Sequence, residues 1–302
     1  MSNLLFSVGF IALIATAIIV GRSLARFAIL TLFTLTVSGA ILQFLFSDSG
    51  IVNLAFTQWW LLITGIVLVV LSFIYGTRGR QALRGTALWR KSSNWILFGS
   101  SALIAGAFLA SRILAPGELS PLSSVGFFVE KVAAEDNAKW LNATSQLADA
   151  SIVDTWANVG GPLLLVMSFA ATLIGAVSYL LYGAINEVAV SSGSVIFTQI
   201  FLVIIAPFAL APIVERTFKK ISGGKQLPPL YSLLSIAILT ASTAAMITYG
   251  HITLQFTLLA LTLWIAVFLA PIPGIPGRLF TTFSVIATAM VWFPLGGLSL
   301  IL

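Results

Sequence analysis

From Trp59 to Ile74 the chain runs without one charged residue, and several other stretches are nearly as bare. A helix needs about 20 mostly apolar residues to cross a bilayer. Stretches that satisfy this lie at 3–20, 27–46, 56–75, 95–114, 161–182, 194–213, 230–248, 253–271 and 279–297. None shows the alternation of a lipid-exposed strand, which excludes a β-barrel. Of the 302 residues 59% are hydrophobic and only 8% are charged. A soluble domain carries about 25% charged residues, because water wets its whole outside. The expected fold is all-α: a polytopic transmembrane helical bundle of about nine spans.

Three parts follow. Residues 1–114 form a four-span N-terminal bundle, 115–160 an extracytoplasmic loop carrying short amphipathic helices, and 161–302 a C-terminal bundle of about five spans. The first apolar stretch follows no basic leader, so it reads as a span and not as a cleaved signal. Arg22 and Arg26 separate the first two spans, and Arg78, Arg80, Arg84, Arg90 and Lys91 separate the third and fourth. The loop at 47–55 has only Asp48. Basic residues stay on the cytoplasmic side, so the N-terminus is expected outside, in a multi-pass protein of the bacterial plasma membrane. Continuing the count places Arg216, Lys219, Lys220 and Lys225 on the outer face, against that rule. One crossing or three within 161–213, or a re-entrant segment, would restore the sign. Orientation of the second half is left open here. Pro207 and Pro212 inside the sixth stretch predict a kink or a helix packed against partners.

Chemistry is narrowed by what is missing. Cys is absent, which excludes disulfides, thiolate nucleophiles and iron–sulfur clusters. A single His, His251, leaves too few ligands for a His-bound metal or haem. The net charge of +6 sits in short loops beside apolar runs, so it points to membrane lipids as partners and not to nucleic acid. Gln43, Gln58, Gln199 and Gln255 are expected to bond between helices, at ~1 kcal/mol each. Glu187 reads as a loop residue between two apolar runs. Trp59, Trp60, Trp89, Trp95 and Trp292 lie near span ends, where an amphipathic ring belongs at the headgroups.

One segment could carry a reaction. Six of the nine acidic residues fall in 115–160: Glu118, Glu130, Glu135, Asp136, Asp149 and Asp154. Phe128, Val132, Trp140, Leu141 and Leu147 have roughly helical spacing, which suits helices lying on the membrane surface. Adjacent carboxylates could hold a divalent cation or accept a proton from a sugar hydroxyl. The Trp140 ring could stack on a sugar face, Lys139 could reach a phosphate, and Asn137 stands between them. Arg112, at the outer end of the fourth stretch, could grip a lipid phosphate. A plainer reading also fits: an exposed loop is rich in such residues, and Trp140 anchors it at the interface.

The run Glu135-Asp136-Asn137-Ala138-Lys139-Trp140-Leu141-Asn142, ahead of Gly160-Gly161-Pro162, resembles large polytopic envelope proteins of actinobacteria. Those are similar to glycosyltransferases of the C superfamily, which use polyprenyl-phosphate sugars. In that superfamily an acidic residue or pair in the first large outer loop serves as base, metal ligand or both. The resemblance, which covers about 50 residues, implies that role for Glu135 and Asp136 alone. It departs from the family in having four stretches ahead of the acidic loop and no soluble C-terminal domain. Two other functions stay open: a non-enzymatic subunit or scaffold that binds lipid or a protein partner in the membrane, and a small-solute transporter whose path is lined by Glu187 and the span glutamines.

Overall fold

The computed structural model describes residues 2–21, 24–46, 49–78, 138–154 and 159–225, with isolated helical positions at Gly99, Ala102, Leu103, Ile252, Thr253, Phe256, Leu259 and Phe283. The regular elements described are six helices: α1 (Ser2–Gly21), α2 (Leu24–Phe46), α3 (Leu54–Arg78), α4 (Ala138–Ala148), α5 (Gly161–Tyr182) and α6 (Glu187–Ile221). All but α4 are long and apolar enough to cross a membrane. Five such helices are compatible with an integral membrane protein. The spans expected at 230–248, 253–271 and 279–297, and nearly all of 95–114, lie outside the described residues, as does His251.

The first three helices make a layer. α2 returns antiparallel to α3, with the Phe46 ring 5.0 Å from Phe56 and 5.7 Å from Trp60. Further along, Ser38 Oγ and Thr64 Oγ1 share a hydrogen bond of 2.6 Å. α1 lies parallel to α3: Asn3 meets Gln58, Phe10 and Leu13 meet Gly65, and Gly21 meets Ser72. A Cβ at Gly65 would stand 3.0 Å from Leu13 Cδ1, so the missing side chain sets how closely these two helices approach.

Local chemistry marks the helix ends. Asn53 accepts from the Phe56 amide at 2.9 Å and so caps α3. Arg26 Nη1 donates to the Gly21 carbonyl at 3.0 Å, a cation on the electronegative end of α1. Asn186 caps α6 by accepting from Ala189 N at 3.0 Å; Glu187 occupies its first turn, and Lys219 and Lys220 its last. Both charges complement the helix dipole.

The expected span 194–213 is thereby corrected. Its helix begins at Glu187, because the Asn186 cap starts it well before the apolar run, and it continues as one element through Pro207 and Pro212. Each proline removes one backbone donor, yet the surrounding turns hold the helix together. The segment 161–213 therefore contains two helices turning at Gly183, whose φ of 70° is the left-handed conformation that glycine adopts freely.

Trp60 also departs from its expected role. Its indole Nε1 donates to Ser38 Oγ at 2.9 Å, between helices. Trp59, 71% exposed, is the outward-facing one of the pair.

Candidate functional site

α4 is the described part of the wet loop. Trp140, Ala143, Thr144 and Leu147 are buried, a spacing of i, i+3, i+4 and i+7 that forms a single apolar stripe. This stripe packs on α6 and, to a lesser extent, on α5. The helix is docked on the bundle and does not lie free on a membrane surface, which corrects that expectation. Sequence reasoning found Trp140 and Leu147 but missed Ala143 and Thr144, the small and polar members. Leu141, assigned to the apolar face, is only half-buried. Thr144 joins the stripe because its hydroxyl donates to the Trp140 carbonyl at 2.9 Å, which satisfies it inside its own helix.

The opposite face is polar. Asn142, Ser145 and Asp149 are exposed, and Lys139 is half-buried. Lys139 Nζ stands 5.0 Å from the centre of the Trp140 ring, within cation–π range. The Trp140 ring itself is 0% exposed. Stacking on a sugar needs an open face, so in this structure Trp140 is an anchor. The chain then folds back: Asp154 N donates to Gln146 Oε1 at 3.0 Å, and Val153 N donates to the Val52 carbonyl at 2.9 Å. This second bond ties the loop to the α2–α3 connection.

The loop re-enters the bundle at Gly160-Gly161-Pro162. Gly160 has φ 87°, Pro162 fills an early position that needs no amide donor, and no side chain of the segment caps the helix. Gln43 from α2 supplies that function, its Oε1 accepting from Gly161 N at 3.1 Å. The backbones of Gly39 and Gly161 are in direct contact, and a Cβ on either would collide with the other. Nothing in the spacing of the two glycines signals this, since small residues abound in these helices.

Two of the glutamines behave as expected. Gln43 bonds as above, and Gln58 Nε2 donates to Asn3 Oδ1 at 3.1 Å and to Thr172 Oγ1 at 2.9 Å, joining α1, α3 and α5. Gln199 departs: its Oε1 is buried in α6 with no hydrogen-bond partner among the described residues. Gln255 lies outside the described residues. Glu187 is exposed, but it is the first residue of α6 and not a loop residue, which corrects the loop reading.

Of the residues singled out for chemistry, the structure describes Lys139 and Trp140; Arg112, Glu135, Asp136 and Asn137 lie outside the described residues. Among the described residues no three acidic or His groups gather to hold a metal ion. No protein-family model, curated protein or solved structure matches the chain. What the residues form is a polar helix face, held in place from behind by a buried tryptophan, directly after a pair of carboxylates.

Proposed function

We propose that the chain is a cell-envelope membrane protein of the bacterial plasma membrane that binds a polyprenyl-phosphate-linked sugar, with Glu135 and Asp136 serving glycosyl transfer. One observation carries the reading: Trp140, enclosed between α4 and the bundle, fixes the chain four residues after Asp136. Connectivity alone keeps a residue that near a fixed point within about 14 Å of it. In this reading Trp140 is the fixed point that follows the two acids along the chain.

In this reading the carboxylate of Asp136 or Glu135 accepts the proton of an acceptor hydroxyl. The oxygen so freed bonds to the sugar's anomeric carbon as the bond from that carbon to the phosphate oxygen breaks, and polyprenyl phosphate leaves with the electron pair. Lys139, Asn137 and Arg112 supply donors suited to the phosphate, and Trp140 contributes by anchoring.

The test is sugar transfer from a polyprenyl-phosphate donor in membranes holding equal amounts of each variant. Asp136→Asn and Glu135→Gln should lower it at least about 100-fold, the scale of a lost general base. Wild-type transfer in both variants removes the assignment.

A further inference from the structure

Gly161 and Thr172 are separated by about 16 Å of helix axis. Yet both bond to the same end of the first three helices. Gly161 N reaches Gln43, one turn before α2 stops at Phe46, and Thr172 Oγ1 accepts from Gln58, one turn after α3 starts at Leu54. The Phe46 and Phe56 rings touch, so those two ends are level. A Cβ added to Gly175 would then stand 3.9 Å from Asn3 Nδ2, at the beginning of α1. A helix running alongside α2 would have climbed into the far half of the layer by Thr172. Instead α5 passes from α2 across to α1 within one half of the layer, from Gly39 past Phe10, whose ring is 4.8 Å from Phe169, to Asn3.

Past Ser178 every residue of the helix is exposed. Tyr179, Leu180, Leu181 and Tyr182 are exposed on every side of the last turn, and Ile185 follows in the turn. Such a tip, two tyrosines among aliphatic residues with no basic group, has the chemistry of the headgroup–acyl boundary. The apolar character of the rest of α5 needs no lipid to explain it, because Gly161 to Ser168 is enclosed by protein.

Charge supports the same placement from a separate direction. The far end of α1 has the Arg26 guanidinium of α2 on its Gly21 carbonyl and α3 ends at Arg78, while α6 ends in Lys219, Lys220 and then Lys225. Two crossings by α5 and α6 would put these basic groups on opposite faces; one crossing puts them together, as the positive-inside rule asks. At 35 residues α6 is about 52 Å long, ample for a hydrocarbon core of about 30 Å.

We infer that α5 is an interfacial helix that does not cross the bilayer: its tip from Tyr179 to Ile185 rests in the headgroup layer of the leaflet that holds Asn3, and α6 alone makes the crossing. The inference is independent of any sugar chemistry. It is tested with single cysteines in the full chain, which has none of its own. Ser49→Cys, Ala184→Cys and Ser222→Cys are labelled with a membrane-impermeant maleimide in vesicles of each orientation, and Ile185→Cys repeats the measurement at the turn.

Positions 49 and 184 should label from one face and position 222 from the other. Labelling of 184 and 185 from the face opposite 49 overturns the inference, since α5 would then cross. Labelling of 222 from the same face as 49 overturns the crossing by α6. No labelling of 184 and 185 from either face contradicts a tip at the water boundary and indicates that protein covers it.

Discussion

Helices α1 and α5 are nearly interchangeable on paper, 20 and 22 residues of almost unbroken apolar sequence. In the structure they are opposites. α1 turns Leu5, Val8, Ile11 and Ile19 outward, Ile19 at 73% exposure, whereas α5 is enclosed over its first two turns and beyond. Hydropathy does not separate them, because a residue that prefers oil to water is content against lipid or protein. Small residues and amides make the difference. α5 has Gly161 against Gly39, Gln43 on its first amide and Thr172 on Gln58; Gly9 of α1 has nothing within 4 Å of where a side chain would begin.

That contrast can be broken most forcefully at a tryptophan. Trp140→Ala empties an enclosed site and should cost about 3–5 kcal/mol, read as thermal unfolding in mild detergent. Trp59→Ala, at an outward-facing ring, should change little. Equal effects would erase the distinction between protein-facing and lipid-facing aromatics.

Glycines give the next largest difference. Gly161→Leu forces a side chain into the Gly39 backbone and should destabilise by about 1–3 kcal/mol or more. Gly9→Leu enters open space and should be neutral or stabilising by up to about 1 kcal/mol, since glycine is a poor helix former. A harmless Gly161→Leu would deny the close crossing of α2 and α5.

The amides sharpen the comparison at smaller scale. Gln58→Leu loses bonds to Asn3 and Thr172 and should cost about 1 kcal/mol. Thr16→Val, at an exposed hydroxyl bonded only to the Ala12 carbonyl of its own helix, should be close to silent. Similar losses from both would mean that interhelical bonding adds nothing beyond packing.

Much of this architecture is legible without coordinates. The apolar stretches 3–20, 27–46, 56–75 and 161–182 locate α1, α2, α3 and α5, because burying an ion in lipid is far costlier than ending a helix. The start of α6 is not, since Asn186 and Glu187 look like loop until Asn186 is seen capping the helix. α4 was half legible: Trp140 and Leu147 announce an apolar face, while Ala143 and Thr144 join it only because one is small and the other satisfies its own hydroxyl. The Gly39–Gly161 contact and the partners of Gln43 and Gln58 are properties of pairs distant in sequence, and no local pattern encodes them. Of the candidate site, the sequence shows the adjacent acids; that the chain behind them is pinned by Trp140 emerges only from the fold.

The central claim is that α4 is part of the bundle. Amide hydrogen exchange of the full chain in lipid nanodiscs tests it directly. Residues 141–148 should be protected to a degree comparable with α5, because their opening requires Trp140 and Leu147 to leave α6. Exchange across those residues at the rate of a free peptide would contradict the account and cast the segment loose from the helices.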